Sequence, residues 1–127
     1  MSVKYKVIQR GEPGVIGGGN KKYYASLVSS GNQDIESLAQ RIQQMSTVTG
    51  VDIRAVLYAI AEIVPQMLSE GQTVAIGDLG KFRLSASSEG SDTEEEVTSA
   101  NIRKSRILFR PGAKFTSMLH NLEFVKS

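Results

Sequence analysis

A strand-patterned stretch interrupted by glycine, Val74-Ala-Ile-Gly-Asp-Leu-Gly-Lys-Phe-Arg-Leu84, constrains the fold of this 127-residue chain more than any other segment. Val74 and Ile76 alternate with Ala75 and Gly77, and Phe82 and Leu84 alternate with Lys81 and Arg83. A period of two is that of a half-buried strand, which sends apolar and basic side chains to opposite faces. Between the halves, Gly77-Asp-Leu-Gly80 permits a turn or bulge, because glycine accepts backbone angles that side chains forbid. The segment predicts a bent hairpin arm with an apolar inner face and a basic outer one, and the inner face needs something to pack on.

The preceding sequence supplies it. A first helix is predicted to start near Asn32 or Asp34, with Ile35, Leu38, Ala39, Ile42 and Met45 at helical spacing on one face. Ser46-Thr-Val-Thr-Gly50 interrupts the pattern, and Thr49 with Asp52 three residues on resembles a capping box. The second helix is predicted from about Gly50 to Glu70, turning Ile53, Val56, Leu57, Ile60, Ile63, Val64, Met67 and Leu68 inward. That arc is wider than one small helical partner covers, which points to a second subunit. Pro65 lacks the amide that would bond the Ala61 carbonyl, so a kink is expected, and Gly71 suits the left-handed position after the helix end.

On the N-terminal side, residues 3–9 alternate as a strand, Gly11-Glu-Pro-Gly14 marks a turn, and Tyr23–Val28 suggests a second strand. Gly17-Gly-Gly-Asn20 is glycine-rich, but Lys21 is not placed as a phosphate-binding P-loop requires and no Ser or Thr follows it, so a plain loop is expected. Beyond the central stretch, Ser85–Asn101 carries acids and no base; either Asp92 caps a short helix over Thr93–Glu96 or the segment is a mobile loop. Ile102–Phe109 returns as a strand, Arg110-Pro-Gly112 ends it, Ala113–Leu122 reads as a short helix, and Leu122–Val125 as a last short strand.

Charge falls in blocks: +4 over residues 1–30, −4 over 31–80, −3 over 81–100 and +5 over 101–127. Basic blocks bind polyanions by releasing counterions, although basic strands beside an acidic helical layer serve solubility equally well. With no cysteine, disulfides and thiolate metal sites are excluded. His120 is the only histidine, so no catalytic or metal centre, cofactor or small-molecule substrate is expected. The N-terminus is not followed by an apolar run of signal-peptide length and no run approaches that of a membrane span, so a soluble cytoplasmic protein without membrane partners is the expectation.

Two helices, then V-x-I-x-x-L-G-x-F at Val74, Ile76, Leu79, Gly80 and Phe82, then a strand running into Phe109-Arg-Pro-Gly112 and a short helix, resemble the HU and integration host factor family of bacterial nucleoid proteins. The resemblance covers about residues 34–120. The extra N-terminal strands and acidic loop are similar to longer HU-like variants of Bacteroides and its relatives. It implies an α+β fold: a two-helix layer, a bent β-sheet with an arm hairpin, a short C-terminal helix and additional N-terminal strands. These form a single HU-like domain over 1–127, made of a β extension (1–31), a helical layer (32–71), the sheet and arm (72–112, acidic loop 87–100) and the C-terminal helix and tail (113–127). An intertwined homodimer is implied too, whose arms rise as a saddle over duplex DNA.

By the same resemblance, Leu79, Phe82 and Phe109 form the core shared between subunits, and Lys81, Arg83, Arg103, Lys104, Arg106, Arg110 and Lys114 contact DNA. Taken singly, each cation is as well explained as a solvated surface charge. The implied function is sequence-independent DNA binding by a histone-like protein of the nucleoid. The alternative is a dimeric protein-interaction module on the same fold, with weak or no DNA binding. The family's arms are arginine-rich and proline-tipped, with the proline wedging between base pairs. Here Ser87–Ala100 has neither residue and carries Glu89, Asp92, Glu94, Glu95 and Glu96; Asp78 replaces a glycine and Ala113 a lysine. The expected affinity is therefore weaker and more purely electrostatic than the family's.

Overall fold

The computed structural model describes residues 2–127 and divides them into two compact units. The first comprises the N-terminal segment to Asp34 together with Met118–Ser127; the second is Ile35–Ser117.

The first unit is built on β1 (Ser2–Arg10) and β2 (Lys22–Val28), which pair antiparallel from Lys4 opposite Val28 to Arg10 opposite Lys22. The last strand, β6 (Glu123–Lys126), joins β1 in parallel, giving the strand order β2-β1-β6. The N-terminal strands therefore form a sheet of their own and do not extend the central one. Their connection carries a 3-10 turn at Ile16–Gly18, as the loop reading of that glycine run expected.

The second unit opens with α1 (Ile35–Gln44) and α2 (Gly50–Ser69), close to the predicted limits. Thr49 caps α2: its Oγ1 accepts from the Asp52 amide at 3.3 Å. The return arm of the capping box differs, because the Thr49 hydroxyl, not its backbone amide, donates to the Asp52 carboxylate at 3.0 Å. The shorter Asp takes the nearer donor. α2 continues through Pro65 to its end, where Gly71 takes φ +82°.

The central stretch is a hairpin, with a turn and not a bulge at its glycines. β3 (Val74–Ile76) and β4 (Gly80–Ser88) pair antiparallel around a 3-10 turn at Gly77–Leu79, setting Val74 opposite Phe82. β4 then pairs with β5 (Ile102–Pro111), completing the sheet β3-β4-β5. In the acidic segment, 3-10 turns form at Glu94–Glu96 and Ser99–Asn101. The residue before the first is Thr93, without a side-chain cap, so the expected capping by Asp92 is not made. Asn101 ties the segment down, its Nδ2 donating to the Glu89 carbonyl at 3.2 Å and to Ser91 Oγ at 2.9 Å. α3 spans Ala113–His120, two residues shorter than expected, and the boundary between the units falls within it.

Burial departs most from the sequence pattern. Among the described residues the buried hydrophobics are Ala39, Ile53 and Leu68. Of the residues assigned to the inward arc of α2, Val56, Ile60, Ile63 and Met67 are exposed, as are Leu38 and Met45 from the first helical stripe. The reason is geometric: within one chain, α1 and a three-stranded sheet cover only part of that arc. An apolar groove of ≈ 640 Å³ is left open, lined by Ile60, Val64 and Leu68 of α2 and by Ile76, Leu79 and Phe82 of the sheet segment.

Candidate nucleic-acid interface

The β4–β5 register sorts the candidate residues. Lys81 lies directly opposite Arg110, Arg83 opposite Leu108, and Ser85 opposite Arg106. Paired residues share a face and successive residues alternate. Lys81, Arg83, Arg106 and Arg110 therefore project from one side of the ribbon. Phe82, Leu84, Ile107 and Phe109 occupy the other, with Phe82 opposite Phe109 and their ring centroids 4.8 Å apart. Phe115 of α3 meets Phe109 edge-on at 5.8 Å. The period-two alternation of Lys81–Leu84 thus yields a two-sided ribbon, apolar on one face and cationic on the other.

Lys81 and Arg110 are like charges in direct cross-strand opposition, which weakens a sheet unless an anion screens them. They flank a small groove whose other walls are Gly77, Gly80, Pro111 and Gly112. Gly80 has φ +148°, and a Cβ there would lie 2.5 Å from the Arg110 carbonyl oxygen and 2.7 Å from the Phe109 ring. No larger residue fits, so this glycine holds β5 close against the turn.

Toward the far end of the ribbon the pattern changes. Ala86 pairs with Ser105 and Ser88 with Ile102, so β5 carries an extra residue across Arg103 and Lys104. A bulge of this kind locally disrupts the ladder and re-aims side chains. The Lys104 amide donates to Ser87 Oγ at 3.3 Å, and Arg103 Nη2 meets Glu89 Oε2 at 2.6 Å. Glu89, which the sequence marked only as one of several repulsive acids, is thus the ionic partner of a predicted DNA-binding arginine. Lys114 stands apart from the ribbon, in the first turn of α3. Leu79, in the 3-10 turn, is 43% exposed and lines the apolar groove beside Phe82.

This pairing of an apolar groove with a basic ribbon is accompanied by a match over residues 1–126 to HU-HIG, the family of HU domains fused to a wHTH, Ig or glycine-rich motif. The chain belongs to this family. The motifs at Val74–Phe82 and Phe109–Gly112 are therefore those of an HU domain, as their order suggested. No curated protein matches the sequence. Among solved structures, the fold is similar to that of a candidate DNA-binding protein from Bacteroides vulgatus ATCC 8482, with a TM-score of 0.65 and 13% identity. That alignment covers 98% of this chain and 47% of the other, so the HU-HIG chain spans about half the length of that protein. HU from Anabaena, in a cocrystal with DNA, aligns with a TM-score of 0.54 and 18% identity over 70% of this chain and 99% of its own. Among the described residues the fold is mixed α+β, with three α-helices and two small sheets, and it is shared with HU.

Proposed function

We propose that this HU-HIG protein binds duplex DNA as a homodimer, independently of base sequence, and acts as an architectural protein of the nucleoid. The observation that carries the reading is the placement of Lys81, Arg83, Arg106 and Arg110 on one face of β4–β5, behind which lies an apolar face without enough intrachain cover. Cations on a ribbon neutralise phosphates and fix register on a duplex without reading bases. Family membership and the fold shared with Anabaena HU support the same reading.

In the mechanism, the second copy covers the groove beside α2, with Leu79, Phe82 and Phe109 in the joint core, and the two ribbons then present their basic faces together. Arg103, Lys104 and Lys114 are secondary contacts, the first available only after Glu89 releases it. The acidic loop lacks an intercalating residue, so any bending follows from asymmetric phosphate neutralisation and DNA deformability.

Fluorescence anisotropy of labelled duplex DNA at two salt concentrations, with the mass of the free protein measured alongside, tests this. Binding is expected to weaken steeply with salt, with log K falling by roughly 0.9 per phosphate contact for each decade of salt. Unmeasurable binding at ~50 mM salt, where phosphate contacts are strongest, would sink it. The Arg103–Glu89 pair specifically favours a second reading, an HU-fold dimer whose acidic loop serves a protein partner and disfavours DNA. The same titration decides between them.

A further inference from the structure

The first unit carries a second basic surface, distinct in sequence and in sheet from the ribbon just described. In the β1–β2–β6 register, Lys4 is opposite Val28, Lys6 opposite Ser26, Ile8 opposite Tyr24 and Arg10 opposite Lys22. By alternation, Lys4, Lys6, Arg10 and Lys22 share one face of the sheet. The other face receives Tyr5 with Leu27, Val7 with Ala25, and Phe124 beside Val3. Four of the five cations of residues 1–30 therefore share one face, in a row broken by the Ile8–Tyr24 pair, while Lys126, opposite Tyr5, is the cation of the other face. The cationic face has one acid, Glu123, at the end where it adjoins Ser2.

Two features make this more than a solvated surface. Arg10 and Lys22 stand directly opposite each other, an arrangement that costs stability unless an anion lies between or above them. Among the described residues, moreover, none of these four cations has a carboxylate partner; the ion pairs are Arg54 with Glu36 and Arg103 with Glu89. All four are exposed. From Lys4 to Arg10 the row extends roughly 20 Å, at ~3.4 Å per residue. The row therefore has the length of a short run of backbone phosphates on one side of a duplex. A line of charges fits a linear polyanion better than it fits a point ligand or a plane of headgroups.

We infer that the β1–β2 basic face is a second nucleic-acid contact surface, which binds the phosphodiester backbone of duplex DNA through Lys4, Lys6, Arg10 and Lys22 independently of the β4–β5 ribbon. Tyr24, opposite Ile8, is exposed on the same face.

The test uses the full chain in three forms: parent, a sheet variant (Lys4→Gln, Lys6→Gln, Arg10→Gln, Lys22→Gln) and a ribbon variant (Arg83→Gln, Arg106→Gln, Arg110→Gln), with the two variants also combined. Salt dependence of duplex binding is read by anisotropy, and circular dichroism and mass confirm the fold of each form. The sheet variant is expected to lower the log–log salt slope by about 3 to 4, one 0.9 step per lost contact, and a charge-retaining version (Lys4→Arg, Lys6→Arg, Lys22→Arg) to restore the parent slope. The combined variant is expected to lose more than either variant alone. An unchanged slope in a folded sheet variant overturns the inference whatever the ribbon does, as does binding of anionic vesicles in place of DNA. If the ribbon variant binds like the parent while the sheet variant does not, the β4–β5 reading fails and this one stands.

Discussion

Gly80 is the residue on which the ribbon's geometry turns. With φ +148° and no room for a Cβ against Arg110 and Phe109, Gly80→Ala is expected to destabilise the fold by more than ~1 kcal/mol, because strain and overlap act together. Urea titration of the variant checks this, and a midpoint equal to the parent's would show that the turn relaxes freely. Glu89 is the opposite case. Its pair with Arg103 is more than half exposed on both sides, so Glu89→Gln should change stability by less than about 1 kcal/mol. If Arg103 contacts phosphate, the same substitution should strengthen DNA binding, by up to roughly fivefold at low salt, since a released cation gains at most ~1 kcal/mol there. A fall in affinity would assign Glu89 a positioning role. At this scale the sequence was legible where residue type dictates backbone, as at Gly71, Gly80 and Thr49. It was silent on Glu89 and Arg103, because their meeting depends on a bulge whose position no local pattern announces.

Among the elements, helices and strands were readable from period, and their limits differ from expectation by a residue or two at most ends. Two features were not. The interruption at Gly77–Gly80 fitted equally a bend or a reversal, and pairing of Val74 with Phe82 made it a reversal. The placement of the N-terminal strands had no local signal either, since it depends on β6, whose partner lies at the other end of the sequence. The acidic segment between β4 and β5 offers the sharpest test at this level. Its five carboxylates lie next to the strands that carry Arg83 and Arg106. Excising residues 88–99 is expected to raise duplex affinity at low salt and to leave less difference at high salt, as screening predicts. If DNA binding is undetectable both with and without the segment, the interaction-module reading gains instead.

For the molecule as a whole, the mismatch between apolar pattern and burial carries the main consequence. Side chains such as Ile60, Ile63 and Met67 on α2 have the composition of a core and the exposure of a surface. If the proposed second copy covers this face, Ile60→Asp is expected to halve the mass measured by light scattering at micromolar protein, or to leave a chain that no longer folds. A folded variant of unchanged mass would remove the groove from the interface. The sequence foresaw the wide arc but not how little of it one chain covers, because coverage depends on how closely α1 and the sheet approach. The pairing of Ser2–Tyr5 with Glu123–Lys126 has a further consequence, for synthesis. Because Ile35–Ser117 lies in sequence between those strands, the ribosome delivers an entire folding unit before β6 exists. β1 must wait as an open edge while the nascent chain lengthens, and contacts so distant in sequence form slowly. The last few codons of this segment thus set when the first strand is protected.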